Sequence, residues 1–313
     1  MLALLLRRVA ATLPVVLIVA FAVFMLLRLT PGDPASIIAG DAASPENVER
    51  IRSALGLSKP LPAQFGIWIR NVLAGDLGQS YFYKSEVTAL ILHRLEPTVA
   101  LSLCTIVLAV AVAVPLGVVA AWRQGGWLDR ALMSFSVIGF SIPVFVLGYA
   151  LIWLVSLKFG WLPVQGYRRL ADGLGPFLSH LILPSLTLSV VYIALIARVT
   201  RASVQEVLSQ DHIRTARAKG LREARVLAVH ALSNAAVPIV TVIGLGIALL
   251  LGGVVVTESV FGIPGLGRLT VDAVLARDFP TVQGVILLFS LAYLLINLLI
   301  DISYVFLDPR IRY

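Results

Sequence analysis

Chemistry needs side chains that hold charge, protons or metal ions, and this 313-residue sequence is poor in them: 13% of its residues are charged, four are histidine and one is cysteine. A nucleotide-hydrolysing loop would read Gly-Lys-Ser/Thr, but the lysine that precedes a serine, Lys84, follows Tyr83 rather than glycine. His93, His180, His212 and His230 are dispersed and form no His-Glu-x-x-His zinc pattern. The lone thiol, Cys104, closes no intrachain disulfide and builds no cluster, so it reads as a packing residue. Asn297 and Asp301 share a helix face at i, i+4, but one carboxylate is not an aspartyl dyad; they read as a packing pair near a membrane interface. What remains is a basic stretch, Glu206 to Pro238. From just before it, Val204, Val207, Leu208, Ile213 and Ala216 recur at helical spacing among charges, Gly220 ends or bends the helix, and Leu221 opens a second one carrying Val226, Leu227 and Leu232. A structured charged loop between apolar spans suits a groove on a soluble partner or an anionic lipid surface.

The elements that must hold this loop are predicted to be membrane helices. The chain is 59% hydrophobic with a mean hydropathy of +0.94, whereas a soluble domain carries roughly 25% charged residues. Six runs approach or exceed the ~20 residues of a crossing helix: 9–29, 97–121, 131–157, 181–199, 237–257 and 281–306. Pro97 fits the first turn of the second; Gly139 and Pro143 predict a kink in the third. The fifth is glycine-rich, and Gly244, Gly246, Gly252 and Gly253 suit close helix packing, the lining of a passage, or both. A path without fixed charge fits a polar or mixed substrate delivered by another protein better than a proton-coupled carrier.

The net charge of +8 sits largely in loops, where membrane orientation requires it, so nucleic acid is not expected as a partner. Arg7 and Arg8, Arg123 and Arg130, the basic loop, and Arg310 with Arg312 outweigh the bases of the opposite short loops, which places both termini in the cytoplasm. The first run is too long for a secretory signal core and lacks a cleavage site, so it is expected to remain as the first span. Residues 30–96 form one long outer insert. Ser44 and Pro45 start a short amphipathic helix there, and Phe65, Trp68, Ile69 and Val72 share the face of a second. The predicted organisation is a first span (1–29), an outer helical cap (30–96) and a five-helix core (97–313) that carries the loop 201–236.

The run Asp211-His-Ile-Arg-Thr-Ala-Arg-Ala-Lys-Gly220-Leu221 resembles the EAA loop of ABC importer permeases, in the form typical of the dipeptide/oligopeptide/nickel family. The glutamate–alanine–alanine positions fall on Arg214, Thr215 and Ala216, and the glycine on Gly220. Of the later isoleucine–x–leucine–proline, which falls on residues 230–233, only Leu232 is kept. Leu29-Thr-Pro-Gly-Asp-Pro34, Gly75-Asp-Leu-Gly-Gln-Ser80, Phe261-Gly-Ile-Pro-Gly-Leu-Gly-Arg-Leu269 and Leu307-Asp-Pro-Arg-Ile-Arg-Tyr313 resemble the same branch, in order along essentially the whole chain. The chain is most similar to the first, B-type permease subunit.

This resemblance implies an all-α polytopic protein with six transmembrane helices and the type I importer permease fold. It implies a multi-pass subunit of the bacterial inner membrane, paired with a paralogous permease, two ABC ATPases and a substrate-binding protein. ATP and magnesium would sit on the ATPases, with no cofactor on this chain. Asp211, Ile213, Arg214, Thr215, Ala216, Arg217, Ala218, Lys219, Gly220 and Leu221 would couple to an ATPase, with Ile213, Ala216, Ala218 and Gly220 as buried contacts and Arg214, Arg217 and Lys219 as electrostatic guides. Gly139, Pro143, Gly244, Gly246, Gly252 and Gly253 are candidates for the path; Trp68, Phe261, Pro264 and Arg268 for contact with the binding protein. The substrates implied are peptides, glutathione-like peptides, nickel chelates, haem or other small solutes. The rival expectation is a channel or secondary carrier whose loop binds lipid and brings no ATPase.

Overall fold

The computed structural model describes residues 2–29, 35–36, 44–54 and 57–307. Most of the Leu29–Pro34 and Leu307–Tyr313 motifs therefore lies outside the described residues. The helices are α1 (Leu2–Leu29), α2 (Pro45–Ala54), α3 (Leu61–Leu73), α4 (Val87–Trp122), α5 (Trp127–Ser141), α6 (Val144–Leu151), α7 (Leu174–Leu208), α8 (Asp211–Ala218), α9 (Ala236–Val260), α10 (Leu266–Leu275) and α11 (Phe279–Leu307). Among the described residues, α4, α7, α9 and α11 are long and apolar enough to cross a bilayer, and the bent pair α5–α6 makes a fifth span if counted as one. Within α1 the apolar stretch Ala11–Met25 is shorter.

Local chemistry sets several boundaries. Ser44 caps α2, its Oγ accepting the Asn47 N–H at 3.3 Å. Proline has no N–H and disfavours helical backbone in the residue before it. Accordingly Ile142 is extended (φ −86°, ψ 121°) and Pro143 opens α6, with a bend of 100° between the two arms. α6 continues as a π-helix over Ile152–Lys158. Pro97 does not start a helix: α4 begins at Val87, and Pro97 and Pro115 both lie inside it. The polar residues ahead of Pro97 hid this start, because they carry the helix but not the hydropathy of the span.

The chain divides into two compact units, one of Met1–Leu95 and Leu269–Leu294, the other of Glu96–Arg268 and Leu295–Tyr313. In the first, Phe24 packs edge-on to Phe65 with centroids 5.2 Å apart, and Trp68 lies 5.7 Å from Phe24. Buried Gln64 ties α3 to its neighbours: its Nε2 donates to the Leu57 and Lys59 carbonyls and its Oε1 accepts from Arg28. In the second unit α7 is the hub, with 67% of its apolar window buried against 28% for α4 and 33% for α9. Leu188, Tyr192 and Ile196 of α7 meet Leu101 and Ala109 of α4 and Val242, Leu250 and Val254 of α9 in one core.

Candidate functional site

The loop between α7 and α9 is built from the inside out. Val204 and Val207 of α7, Ile213 and Ala216 of α8, and then Val226, Ala231, Ala235 and Ile239 form a second core with Ala121 of α4. Helical spacing puts Ile213 and Ala216 on one side of α8, and that side faces this core: they are 0% and 6% exposed. In this chain these two, expected as buried contacts with a partner, pack against its own residues. They hold α8 to its own chain.

α8 ends in a Schellman motif. Gly220 takes φ +76°, its N–H donates to Arg217 O (2.9 Å), and the Leu221 N–H reaches Ala216 O (3.3 Å). Glycine adopts this left-handed backbone without steric cost. Beyond it, the Arg217 guanidinium grips both Glu223 oxygens at 3.2 and 2.5 Å. That bond, ahead of the opposing desolvation, holds the Arg217 pKa above its ordinary value. Arg214 pairs with Asp211 at 3.0 Å. The face left outward carries Asp211, His212, Arg214, Thr215, Arg217, Ala218, Lys219 and Gly220, with Leu221 half-buried. A π-helix, Val226–Ala231, leads on toward α9.

The far end of α9 holds a feature that sequence reasoning missed. Glu258 is fully buried. Its Oε1 accepts the Thr98 hydroxyl at 2.5 Å and its Oε2 the Arg268 N–H at 2.9 Å; Thr98 Oγ1 in turn accepts the Leu266 N–H at 2.8 Å. The carboxylate thus sits against the opening turn of α10, where free N–H groups favour an anion. A side chain at Gly265 would run into Glu258, and one at Gly267 would lie 2.6 Å from Val255 Cα. The Phe261–Leu269 motif is thereby explained as a backbone wrapped around one acid. The available signal was a single acid at the end of an apolar span. Phe261, a candidate contact with the binding protein, is 2% exposed, while Pro264 and Arg268 are exposed. Bulk drives the phenyl ring inward, and Gly166 N–H fixes the Phe261 carbonyl at 2.9 Å.

An equivalent clamp in the other unit holds Ser80, the last residue of the Gly75–Ser80 motif. Buried Asp278 accepts Ser80 Oγ (2.5 Å), Tyr81 N–H (2.9 Å) and Thr281 Oγ1 (2.7 Å). Burial, with help from Asp278, pushes the Tyr81 phenol up to about 12. Trp68, another candidate contact with the binding protein, is half-buried in the aromatic cluster of α1 and α3.

The candidate path residues have separate surroundings. A Cβ at Gly139 would touch Ala194 and Val190 of α7. Gly246 and Gly253 pack on Tyr192, and Gly244 on Ile300. Only at Gly252, on the face of exposed Leu245, Leu249 and Val256, does a Cβ meet open space. Pro143 is exposed at the break. Among the described residues no three His, Cys, Asp or Glu side chains converge as a metal site.

Comparison with known proteins places this architecture. Residues 113–313 match the family profile of the binding-protein-dependent transport system inner membrane component, and residues 1–102 match the N-terminal profile of such membrane components. The chain is 54% identical over 308 residues to a protein of Sinorhizobium fredii named "Probable peptide ABC transporter permease protein", covering 98% of each. It is 47% identical over 307 residues to a glutathione transport system permease protein of Pectobacterium atrosepticum, again covering 98% of each. An inward-facing structure of the MetNI methionine ABC transporter shares the fold, with a TM-score of 0.59 at 18% identity over 70% of this chain and 96% of that one. The chain belongs to the family of binding-protein-dependent transport system inner membrane components. It is a multi-pass permease subunit of an ABC importer, and ATP hydrolysis belongs to partner subunits.

Proposed function

We propose that this chain is one half of a heterodimeric permease that passes peptides, or a related small solute such as glutathione, from a binding protein into the cell. The names of its relatives support that substrate class. In this reading α1 completes a set of six spans, both termini are cytoplasmic, residues 30–96 form an outer cap, and two ATPases carrying ATP and magnesium dock at the loop 201–236. The observation that carries it is the construction of that loop. Ile213 and Ala216 weld α8 to the end of α7 and the start of α9, while a basic outer face with Ala218, Lys219 and Gly220 stands clear. A loop made to bind lipid needs an outward apolar face; here the apolar face is turned in. Movement of a docked ATPase would therefore shift α7 and α9 together.

Pro264 and Arg268, on the turn braced by Glu258, are the binding-protein contacts this geometry favours; Phe261 supports them from within, and Trp68 belongs to the aromatic cluster of α1 and α3. Gly252 and Pro143 are the path candidates with open surroundings, and the other glycines serve packing. A photo-crosslinker at Ala218 in the complex co-expressed with its ATPases tests the docking. Capture of an ATPase is expected, and capture of lipid alone would refute it.

A further inference from the structure

Asp129 opens α5 and Arg201 lies near the end of α7, one turn before Val204 enters the loop core. The guanidinium meets the carboxylate with two parallel bonds: Nε to Oδ1, and Nη2 to Oδ2 at 2.8 Å. Asp129 is 4% exposed, and Oδ2 also accepts the Gly125 N–H at 2.9 Å. A fork–fork pair of this kind fixes direction as well as distance. From it a tight seam runs along the two helices. Ser136 Oγ, whose O–H donates to Leu132 O at 2.9 Å within α5, lies 3.3 Å from Ala194 O, and a Cβ at Gly139 would lie 3.4 Å from Ala194 Cβ. Beyond the bend at Pro143, a Cβ at Gly148 would come within 3.3 Å of Val260 and 3.4 Å of Phe261. A continuous line of contacts thus leads from the loop core, through the ion pair and both arms of the broken helix, to the turn that Glu258 braces.

We propose that Asp129 and Arg201 are a positioning pair that makes α5 and α7 one moving body, carrying displacement of the loop 201–236 into the broken helix and on to the Phe261–Arg268 turn. The proposal rests on the docking of an ATPase at that loop. The pair touches no substrate; it decides whether the bent helix follows α7 or lags behind it.

The test uses the complete complex in lipid nanodiscs, with ATP hydrolysis measured with and without the loaded binding protein. Asp129→Asn is expected to assemble with its basal hydrolysis retained. Its stimulation by the binding protein should fall by about fivefold or more, the range of an allosteric coupling. The exchange Asp129→Arg with Arg201→Asp should restore it. An Asp129→Asn complex with undiminished stimulation overturns the proposal. Should that variant not assemble, Gly139→Cys with Ala194→Cys in a Cys104→Ser background gives a second reading, because the Cβ separation suits a disulfide. Oxidation should leave stimulation intact if the helices travel together. Loss on oxidation that reductant reverses would show that they must part, and would refute the latch. Failure of the docking premise looks different: the unaltered complex would then lack bound ATPase.

Discussion

Replacing Glu258 by alanine should unfold the second unit at a markedly lower temperature. The carboxylate accepts the Thr98 hydroxyl and the Arg268 N–H inside a fully buried site. Depriving a buried donor of its acceptor costs about 1–3 kcal/mol, so two donors and the lost anion at a helix start together come to about 3–5 kcal/mol. For a unit of this size each kcal/mol lowers Tm by about 2–4 °C, and a fall of about 10 °C is expected. Thr98→Val, nearly isosteric, takes one donor from Glu258 and one acceptor from Leu266 N–H, and should cost about half as much. Glu258→Gln should fall between the wild type and Glu258→Ala, since the amide keeps one acceptor oxygen but turns a donor toward the second partner. The sole cysteine reports on the melt: Cys104 packs against the same core, so a fluorogenic maleimide reads its exposure in detergent. Thr98→Val and Glu258→Ala should be clearly non-additive, as members of one network. A Tm change under about 2 °C for Glu258→Ala, or simple additivity, would refute the brace.

Gly220→Val should strain the left-handed position by at least about 1–2 kcal/mol, speeding tryptic cleavage at Arg217 and Lys219 and weakening binding-protein stimulation; Gly220→Asn should be milder, because Asn tolerates that backbone, and equal behaviour of both with the wild type would contradict the cap. Because the folded chain raises the Tyr81 phenol from 10.0 to about 12, the unfolded chain releases that proton first and stability should fall as pH rises through this window. Tyr81→Phe should flatten the alkaline drop in Tm, and an unchanged slope would show that Tyr81 is not its source.

Much of this arrangement is legible in the sequence because it is local. The cap at Ser44, the stop at Gly220 and the break at Pro143 each depend on neighbours within a turn. Hydropathy marks where chain enters lipid, but not where a helix begins, so the ten residues of α4 before Pro97 escaped it. Periodicity shows that Ile213 and Ala216 share a face, but not whether that face meets its own chain or another. Glu258 and Asp278 were beyond reach for a different reason. The Thr98–Glu258 bond spans 160 residues and the Ser80–Asp278 bond 198, and no local pattern joins such partners. The glycines around Glu258 were visible as a motif, yet their meaning rests on a carboxylate seven residues before Gly265.

The order of synthesis gives the Thr98–Glu258 contact a further significance. A carboxylate entering lipid with nothing to accept is expensive. Ribosomes make chains from the amino end, so the hydroxyl that greets this acid is already threaded when residue 258 emerges. The acid can be delivered straight to a waiting donor, and α9 is registered against α4 as it arrives. A transplanted α9–α10 hairpin, made without α4 before it, would reach the translocon with its acid lacking the Thr98 hydroxyl.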